Sequence, residues 1–285
     1  MTTYGVTGAT GQLGRLVLDE LLGKVAASDI VALARDPAAL TDYAAKGVVV
    51  RQADYDQPDT LVAALEGVNR LLLISGNAVG QRERQHGAVI DAAKANGVSY
   101  LAYTSVLNAQ ASKLALAPEH KATENLLAAS GLNYDALRCC WYSDNYMAGV
   151  AQSVESGAVY GASGDGRFST ASRADLAAGI AAALVSGKGG DIYELAGDSS
   201  WTMSEFAAEI SRQSGKPVEY VNQSEAEYAA TLESAGLPPP VAAMLASTSA
   251  LAGEGQLECN SGDLSRLSGR PTTPIADSIA KALAN

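Results

Sequence analysis

The sequence predicts an α/β fold in which a doubly wound parallel sheet is followed by a smaller, helix-rich C-terminal cap. Short β-rich runs alternate with helical segments through about six β/α units up to Arg138, a pattern typical of a parallel sheet with helices on both faces. Three glycines at G-x-x-G-x-x-G spacing separate the first strand from the first helix. After Arg138 the alternation ends, and several helices follow one another.

The first half supplies the main sheet. The second, third and fourth strand candidates are nearly continuous in apolar residues, as expected for strands covered by helices on both faces. The first helix carries Leu13, Leu16, Val17 and Leu21 on one face, the period of an amphipathic helix. The strand candidates are residues 3–8, 29–35, 48–55, 70–76, 99–105 and 134–139, and the later helices are residues 37–47, 58–68, 81–97 and 119–131.

The second half is organised differently. A loop-rich passage over residues 139–172 precedes a helix at 173–187 and a short strand at 191–197. Helices at 202–215, 224–236 and 240–250 and one strand at 217–223 then form the predicted cap. The predicted division is a first domain over residues 1–150, to which residues 170–196 return, and a cap over residues 151–169 and 197–285.

Composition excludes several functional classes. The net charge of −11 opposes nonspecific binding to nucleic acid or to an anionic membrane. No apolar run is long enough to span a bilayer, and no secretory signal is visible at the start, so the sequence predicts a cytoplasmic protein. Three cysteines, two of them adjacent, and two histidines favour buried thiols over a disulfide framework or a structural zinc site.

The glycine loop predicts a dinucleotide-binding, Rossmann-like first domain. The spacing alone is shared by ordinary turns, but here it lies between a strand and an amphipathic helix, as phosphate binding requires. Gly8 allows the tight turn, Gly11 allows the backbone to approach a pyrophosphate, and Gly14 allows the helix to pack close to the strand. The helix N-terminus offers unpaired amides to the phosphates.

The end of the second strand favours NADP over NAD. An NAD site usually places an acidic residue there to bind the ribose, whereas an NADP site offers a cation to the 2′-phosphate. Here Arg35 stands at the strand end and is the candidate contact for the 2′-phosphate. Asp36 next to it is the competing acidic residue, but it is equally suited to starting the following helix before Pro37. After the third strand, Asp54 is placed either to accept from the adenine amine or to cap a turn.

Two later strands deliver polar residues to the same edge of the sheet. Ser75 and Gly76 follow the fourth strand, and Thr104 and Ser105 end the fifth. Ligands bind at the carboxyl edge in this architecture. These four residues are therefore predicted to lie near the reactive end of the cofactor.

The combination of motifs resembles the NmrA-like atypical short-chain dehydrogenase/reductase family, and within it the bacterial NAD(P)H:quinone oxidoreductases of type 2. The matching strings, which extend over nearly the whole chain, are TGATGQLG, ALARDP, RQADYDQ, LLLISG with VGQRERQH, YTSVLNA, EHKATE, WYSDNY, GDGRFSTASRAD and YELAGDSSWT. The resemblance implies a reductase that prefers NADPH and passes a hydride to a quinone in a cleft between the two domains. It also allows a homodimer.

The resemblance assigns site residues position by position. Tyr142 and Asn145 are the strongest candidates at the reactive end, where Cys139 and Cys140 replace the Asn-Gly usual in the family. Arg173 is either a salt-bridged hinge or a residue at the site's mouth. The implied cofactor-binding residues are Gly8, Ala9, Thr10, Gly11, Gln12, Leu13, Gly14, Arg35, Asp54, Ser75, Gly76, Gln81, Thr104, Ser105, Cys140, Trp141, Tyr142, Ser143, Asn145 and Arg173.

Aromatic residues of the WYSDNY segment have two interpretations. Trp141, Tyr142 and Tyr146 either stack on a flat quinone or pack between the domains. The cluster therefore supports a quinone site without defining one.

The absence of one motif disfavours alcohol dehydrogenation as the reaction. None of the twelve tyrosines has a lysine four residues later, so the Tyr-x-x-x-Lys pair of ordinary short-chain dehydrogenases is absent. Quinone reduction has less need of a strong general acid, because the product oxygen is a stabilised phenolate. His120, one helical turn before Glu124, is a candidate only for an assisting hydrogen bond or proton. The alternative function is an NADP-binding redox sensor without turnover.

Overall fold

The computed structural model describes residues 1–284. Eleven strands and thirteen helices lie within this range, and two single turns of 3-10 helix, Ala27–Asp29 and Pro37–Leu40, adjoin the second strand. The strands are β1 Tyr4–Val6, β2 Ile30–Ala34, β3 Val49–Gln52, β4 Arg70–Leu73, β5 Tyr100–Val106, β6 Tyr134–Cys139, β7 Ala158–Gly161, β8 Arg167–Phe168, β9 Ile192–Leu195, β10 Trp201–Thr202 and β11 Glu219–Asn222.

The helices alternate with the strands in the first half and dominate the second. They are α1 Gln12–Leu22, α2 Thr41–Ala44, α3 Pro58–Ala64, α4 Arg82–Ala95, α5 Ala117–Ser130, α6 Asp144–Met147, α7 Val150–Ser156, α8 Arg173–Ser186, α9 Met203–Ser214, α10 Glu225–Ser234, α11 Pro239–Ala252, α12 Asp263–Ser268 and α13 Ile275–Leu283.

A seven-stranded parallel sheet in the order β3-β2-β1-β4-β5-β6-β9 confirms the predicted fold class. The strand order reverses at β1, whose Tyr4 pairs with Ile30 on one side and with Arg70 on the other. In doubly wound sheets, ligands bind at the carboxyl edge beside such a reversal. The fold therefore places a crevice at the ends of β1 and β4.

The sheet separates two apolar layers. One face packs against α1 and α8 through residues such as Val17 and Ile180, and the other packs against α3, α4 and α5 through residues such as Leu61 and Val89. β2 is buried throughout and β4 over three of its four residues, as predicted, and β5 is buried as well. The prediction was wrong for β3, because β3 is an edge strand with partners on one side only and Val49 is exposed.

The other errors concern short elements. The helix predicted at 37–47 is a single 3-10 turn followed by the four-residue α2. The passage predicted as loop at 139–172 contains α6, α7, β7 and β8, of which β7 and β8 pair with strands that come more than thirty residues later. Long-range pairing of this kind has no local signature.

The C-terminal helices enclose a separate apolar cluster. It includes Phe168, Trp201, Phe206 and Ile279, and the Tyr146 ring lies 5.1 Å from the Trp201 ring. α10 begins with the predicted Ser224–Glu227 capping box. The division into two domains at the predicted boundaries stays a prediction, although β9 does return as the seventh strand of the main sheet.

Candidate functional site

The glycine loop is a sharp turn between β1 and α1. Gly8 has φ +59°, which L-residues rarely adopt. A Cβ on Gly14 would lie only 2.3 Å from the Gly8 carbonyl oxygen, so α1 packs directly on the loop backbone. Among the described residues 1–284, no side chain caps the N-terminus of α1 at Gly11, which leaves its first amides free for an anion.

A cavity of about 330 Å³ opens beside this loop; we call it the glycine-loop cavity. Arg35 lines it from the end of β2, and within residues 1–284 its guanidinium forms neither an ion pair nor a hydrogen bond. Asp36 instead accepts from the Ala38 amide and starts the following 3-10 turn. The wall consists of Gly8, Thr10, Gly11, Leu33–Arg35, Ala53–Asp56, Ile74–Ala78, Gln81 and Gln85.

Asp54 acts as a turn residue in this cavity wall. Its carboxylate accepts from the Asp56 amide at 3.0 Å and from the Gln57 side chain at 3.1 Å. Next to it, the Tyr55 hydroxyl donates to the Ile74 carbonyl and bonds Thr7, which ties the ends of β1, β3 and β4 together. An adenine contact by Asp54 stays a prediction.

The segment after β4 is held by buried side chains of α4. The Gly76 amide donates to His86 Nε2 at 3.0 Å, and Arg82 Nε donates to the Gly76 carbonyl at 2.6 Å. Since His86 Nε2 accepts, its proton lies on Nδ1, 2.8 Å from Thr123. Burial lowers the pKa of His86 to about 3, so the ring is neutral near pH 7.

A second cavity of about 280 Å³ begins on the other side of Gly76. We call it the aromatic-loop cavity. Ile74–Asn77 belong to the walls of both cavities, so the two form one crevice along the carboxyl edge of the sheet. The remaining wall consists of Arg82, Thr104–Val106, Leu116, His120, Cys139–Tyr142, Asn145 and Arg173.

A buried charge network supports the β5 side of the aromatic-loop cavity. Arg138 holds the Glu124 carboxylate through two hydrogen bonds of 2.9 and 2.8 Å and also binds Glu194. The Ser105 hydroxyl donates to Glu124 at 2.7 Å. Although burial raises the pKa of Glu124, bonds from Arg138 and its neighbours outweigh it, and the net pKa is lowered. Ser105 therefore presents lone pairs, not its proton, to the cavity.

The WYSDNY segment forms the opposite wall. Arg173 lies 4.5 Å over the Tyr142 ring, donates to the Asn145 side chain at 2.9 Å and pairs with Asp144 at 3.5 Å. It is thus both a salt-bridged residue and part of the cavity wall. Trp141 also lines the cavity, whereas Tyr146 packs against Trp201 and Phe206 in the C-terminal apolar cluster.

The adjacent cysteines are buried, as predicted. The Cys140 thiol accepts from the Ala171 amide at 3.1 Å, and burial raises its pKa to about 12. A thiol held in this way is protonated near neutral pH and is a poor nucleophile.

His120 lies deep in the aromatic-loop cavity. Its Nδ1 is 2.8 Å from the Tyr103 hydroxyl. Burial, together with the positive charge of Arg82, lowers the pKa of His120 to about 4. His120 is therefore neutral near pH 7.

Five predicted residues lie outside the walls of both cavities. Ala9, Leu13, Gly14 and Ser143 are buried and support the loops from within, and Gln12 is exposed. The crevice is also lined by residues that the sequence did not indicate: Tyr55, Asp56, Asn77, Arg82 and Gln85. Tyr55 and Arg82 stand inside the motif strings quoted above, but nothing in their spacing shows that the fold turns them toward the crevice.

The fold and the crevice define a nicotinamide dinucleotide-binding protein of the doubly wound class. A family model described as NAD(P)H-binding matches residues 8–186, and the chain belongs to this family. The predicted resemblance to NmrA-like reductases is confirmed as well.

Particular relatives are similar over nearly the whole chain. Quinone oxidoreductase 2 of Escherichia coli is 51% identical, with 96% of each chain covered. The crystal structure of NADPH-dependent quinone oxidoreductase from Escherichia coli complexed with NADPH superposes with a TM-score of 0.96 at 50% identity, covering 99% of this chain and 100% of that one. Citrobacter sp. triphenylmethane reductase complexed with NADP(H) is 37% identical, with a TM-score of 0.95 and coverage of 98% and 100%.

The helices themselves give one further finding. Over residues 1–284, none combines the length and the apolar character that crossing a bilayer requires.

Proposed function

We propose that this chain is an NADPH-dependent quinone oxidoreductase that transfers a hydride to a quinone in the crevice formed by the two cavities. One observation carries the proposal: residues Ile74–Asn77 line both cavities. They thereby connect the glycine loop and Arg35, which can bind phosphate, to the cavity lined by Trp141 and Tyr142. The similarity to Escherichia coli quinone oxidoreductase 2 supports the same reaction.

The residues present fit NADPH. The glycine turn lets α1 pack directly on the loop, since a Cβ on Gly14 would lie 2.3 Å from the Gly8 carbonyl oxygen, and the uncapped start of α1 offers its amides to a phosphate. Arg35 offers an unpaired cation at the edge of the glycine-loop cavity, where the adenosine 2′-phosphate of NADPH would lie. When bound, NADPH supplies two electrons and one hydrogen as a hydride from its nicotinamide C4.

The aromatic-loop cavity suits the nicotinamide and the quinone. Trp141 and Tyr142 offer flat apolar faces to a ring, while Thr104, Ser105 and Asn145 offer polar groups to its substituents. Positioning a hydride donor against an electrophilic ring, with water kept out, is the main requirement of this reaction. We assign Tyr142 and Asn145 to this task and His120 to an assisting role.

The rest of the predicted site forms part of the same proposal. Gly8–Gly14, Asp54 and Gln81 would surround the adenosine and pyrophosphate, and Cys140, Ser143 and Arg173 would support the reactive end. All three cysteines are free, which suits a reducing compartment such as the cytoplasm. The cleft between two domains and the homodimer stay predictions.

A quinone-dependent assay tests the proposal. Oxidation of NADPH and of NADH is followed with and without a simple benzoquinone, and binding of each cofactor is measured separately. We expect quinone-dependent oxidation, faster with NADPH. Tight NADPH binding with no oxidation in the presence of quinone would overturn the enzyme and favour a redox sensor.

A further inference from the structure

The two histidines of the chain lie on the same side of the sheet but form the following hydrogen bonds through different ring nitrogens. His86 accepts through Nε2 from the Gly76 amide, which fixes its proton on Nδ1. His120 meets the Tyr103 hydroxyl through Nδ1. Because Tyr103 is buried and burial raises its pKa, its hydroxyl keeps its proton and needs an acceptor. The Ser75 and Thr123 side chains also approach this hydroxyl. We take Nδ1 of His120, 2.8 Å away, as the acceptor, which places the His120 proton on Nε2.

Nε2 of His120 faces the aromatic-loop cavity. It has no hydrogen-bond partner within residues 1–284. Within this range, the side-chain polar atoms that are both buried and without a hydrogen-bond partner are Arg82 Nη1 and Glu119 Oε2. Because His120 Nε2 is not one of them, it is not buried and is accessible from the cavity. The cavity that His120 lines is the aromatic-loop cavity.

Resting on the proposed function, we propose that His120, held in one tautomer by Tyr103, donates its Nε2–H to a carbonyl oxygen of the quinone. His120 thereby polarises the acceptor as a neutral hydrogen-bond donor and is a catalytic residue, whereas Tyr103 is a positioning residue. A preorganised donor aimed at an oxygen that gains negative charge stabilises the transition state.

The reaction balances without proton transfer from the protein. NADPH, the quinone and one proton give NADP⁺ and the hydroquinone: the hydride brings two electrons and one hydrogen, and the second proton comes from water. The Nε2 proton stays on His120 throughout. This requirement suits the surroundings of the ring. Arg82 on α4 opposes a positive charge there, the nearby His86 ring is neutral, and Glu124 on α5 is paired with Arg138.

Nitrogen-15 NMR of the imidazoles tests the inference without turnover. With two histidines in the chain, a His120→Gln variant assigns both signals. We expect neutral rings from about pH 5.5 to about pH 8, with His86 protonated on Nδ1 and His120 on Nε2. A His120 ring that is charged near pH 7, or that carries its proton on Nδ1, would overturn the inference.

Variants then connect the tautomer to the reaction. Tyr103→Phe should shift His120 away from the pure Nε2–H form and lower kcat about tenfold, with NADPH affinity unchanged. Tyr100→Phe is the matched control, because it removes another buried hydroxyl of β5 on the opposite face of the sheet, where it bonds Asp135. It should leave the His120 signal and kcat unchanged.

Replacement of His120 itself completes the test. His120→Leu should lower kcat about 10- to 100-fold, and His120→Gln, which keeps an N–H donor, should recover part of the loss. kcat of the unsubstituted protein should be flat from about pH 5.5 to about pH 8, whereas an acid with an ordinary histidine pKa would lose activity through this range.

The outcomes separate the two proposals. An active protein whose kcat is insensitive to His120→Leu, or a Tyr103→Phe variant with an unchanged tautomer, would overturn this inference alone. A protein that binds NADPH but does not reduce quinone would overturn the proposed function and this inference with it.

Discussion

The part of the glycine-loop cavity that would meet the phosphates consists of backbone and exposed side chains, whereas the aromatic-loop cavity depends on buried side chains that hydrogen-bond across several elements. Thr10, Gly11 and Arg35 are exposed, and within residues 1–284 the Arg35 guanidinium forms neither an ion pair nor a hydrogen bond, although its charge interacts with Asp56. In contrast, Ser105 and His120 are about 95% buried, and each has a fixed hydrogen-bond partner. One end of the crevice therefore recognises a flexible phosphate by shape and charge, and the other fixes ring orientation by preorganisation.

The largest expected effect is a loss of stability when the charge that supports the buried end of the crevice is removed. Arg138→Met leaves Glu124 as an uncompensated carboxylate in the interior, and we expect a loss of about 3 to 5 kcal/mol in the free energy of unfolding. Arg212→Met is the control, since it removes an exposed pair with Glu209 on α9 and should change stability by less than about 1 kcal/mol. Equal losses in denaturant titrations would show that the network is not a buried support.

At the exposed end of the crevice, NADPH binding should depend on the backbone conformation of the glycine loop. Gly14→Ala places a methyl group against the Gly8 carbonyl and should cost about 1 to 3 kcal/mol of stability while abolishing detectable NADPH binding. The control is Gly23→Ala at the other end of α1, where the nearest atom to a Cβ is 3.5 Å away. Thermal unfolding and cofactor titration measure both effects. Unimpaired NADPH binding by the Gly14 variant would contradict a phosphate cradle at this turn.

Unlike Arg138, Arg35 is expected to contribute to NADPH affinity without supporting the fold. Arg35→Ala should weaken NADPH binding by about 1.5 to 3 kcal/mol and leave NADH binding and stability nearly unchanged. Arg266→Ala removes an exposed arginine of α12 and should affect neither cofactor. Equal losses for NADPH and NADH in calorimetric titrations would refute the 2′-phosphate contact.

The last effect is a pH dependence of stability that comes from the neutral histidines of the buried end. Because the folded pKa values of His86 and His120 lie near 3 and 4, below the unfolded value near 6.5, the unfolded chain binds more protons between these limits. Stability is therefore fully present above about pH 6.5 and falls as the pH is lowered, by about 2 kcal/mol per histidine between pH 7 and pH 5.

A variant isolates one histidine in this pH dependence. His120→Gln should reduce the pH-dependent loss by about half, as measured by urea unfolding at both pH values. An unfolding free energy that stays constant from pH 7 to pH 5 would show that the rings are not held neutral.

The difference between the two cavities also explains which site residues could be predicted from the sequence. Gly8, Gly14 and Arg35 follow one another within a single β/α/β unit, so local spacing predicts their arrangement. Tyr103, Arg82 and His120 meet only because β5, α4 and α5 pack together, and their roles depend on burial, which spacing does not encode. Tyr146 was ambiguous for the same reason, since packing against Trp201 decides its role.

Secondary structure follows the same rule. The β/α alternation and the capping box at Ser224 were predicted from local pattern. β7, β8 and the neighbouring α7 were missed, because the two strands are stabilised by partners far along the chain. The apolar residues Val48–Val50 predicted a buried strand, but in the part of the chain that the structure describes no strand pairs with the outer edge of β3, which is exposed.

The central claim is that NADPH and the quinone occupy the two cavities of one crevice at the same time. Initial rates over a matrix of NADPH and benzoquinone concentrations test it most directly. The account predicts intersecting double-reciprocal lines, as required for a ternary complex, with NADP⁺ competing against NADPH but not against quinone. Parallel lines, or competition of the quinone with NADPH for one site, would contradict it.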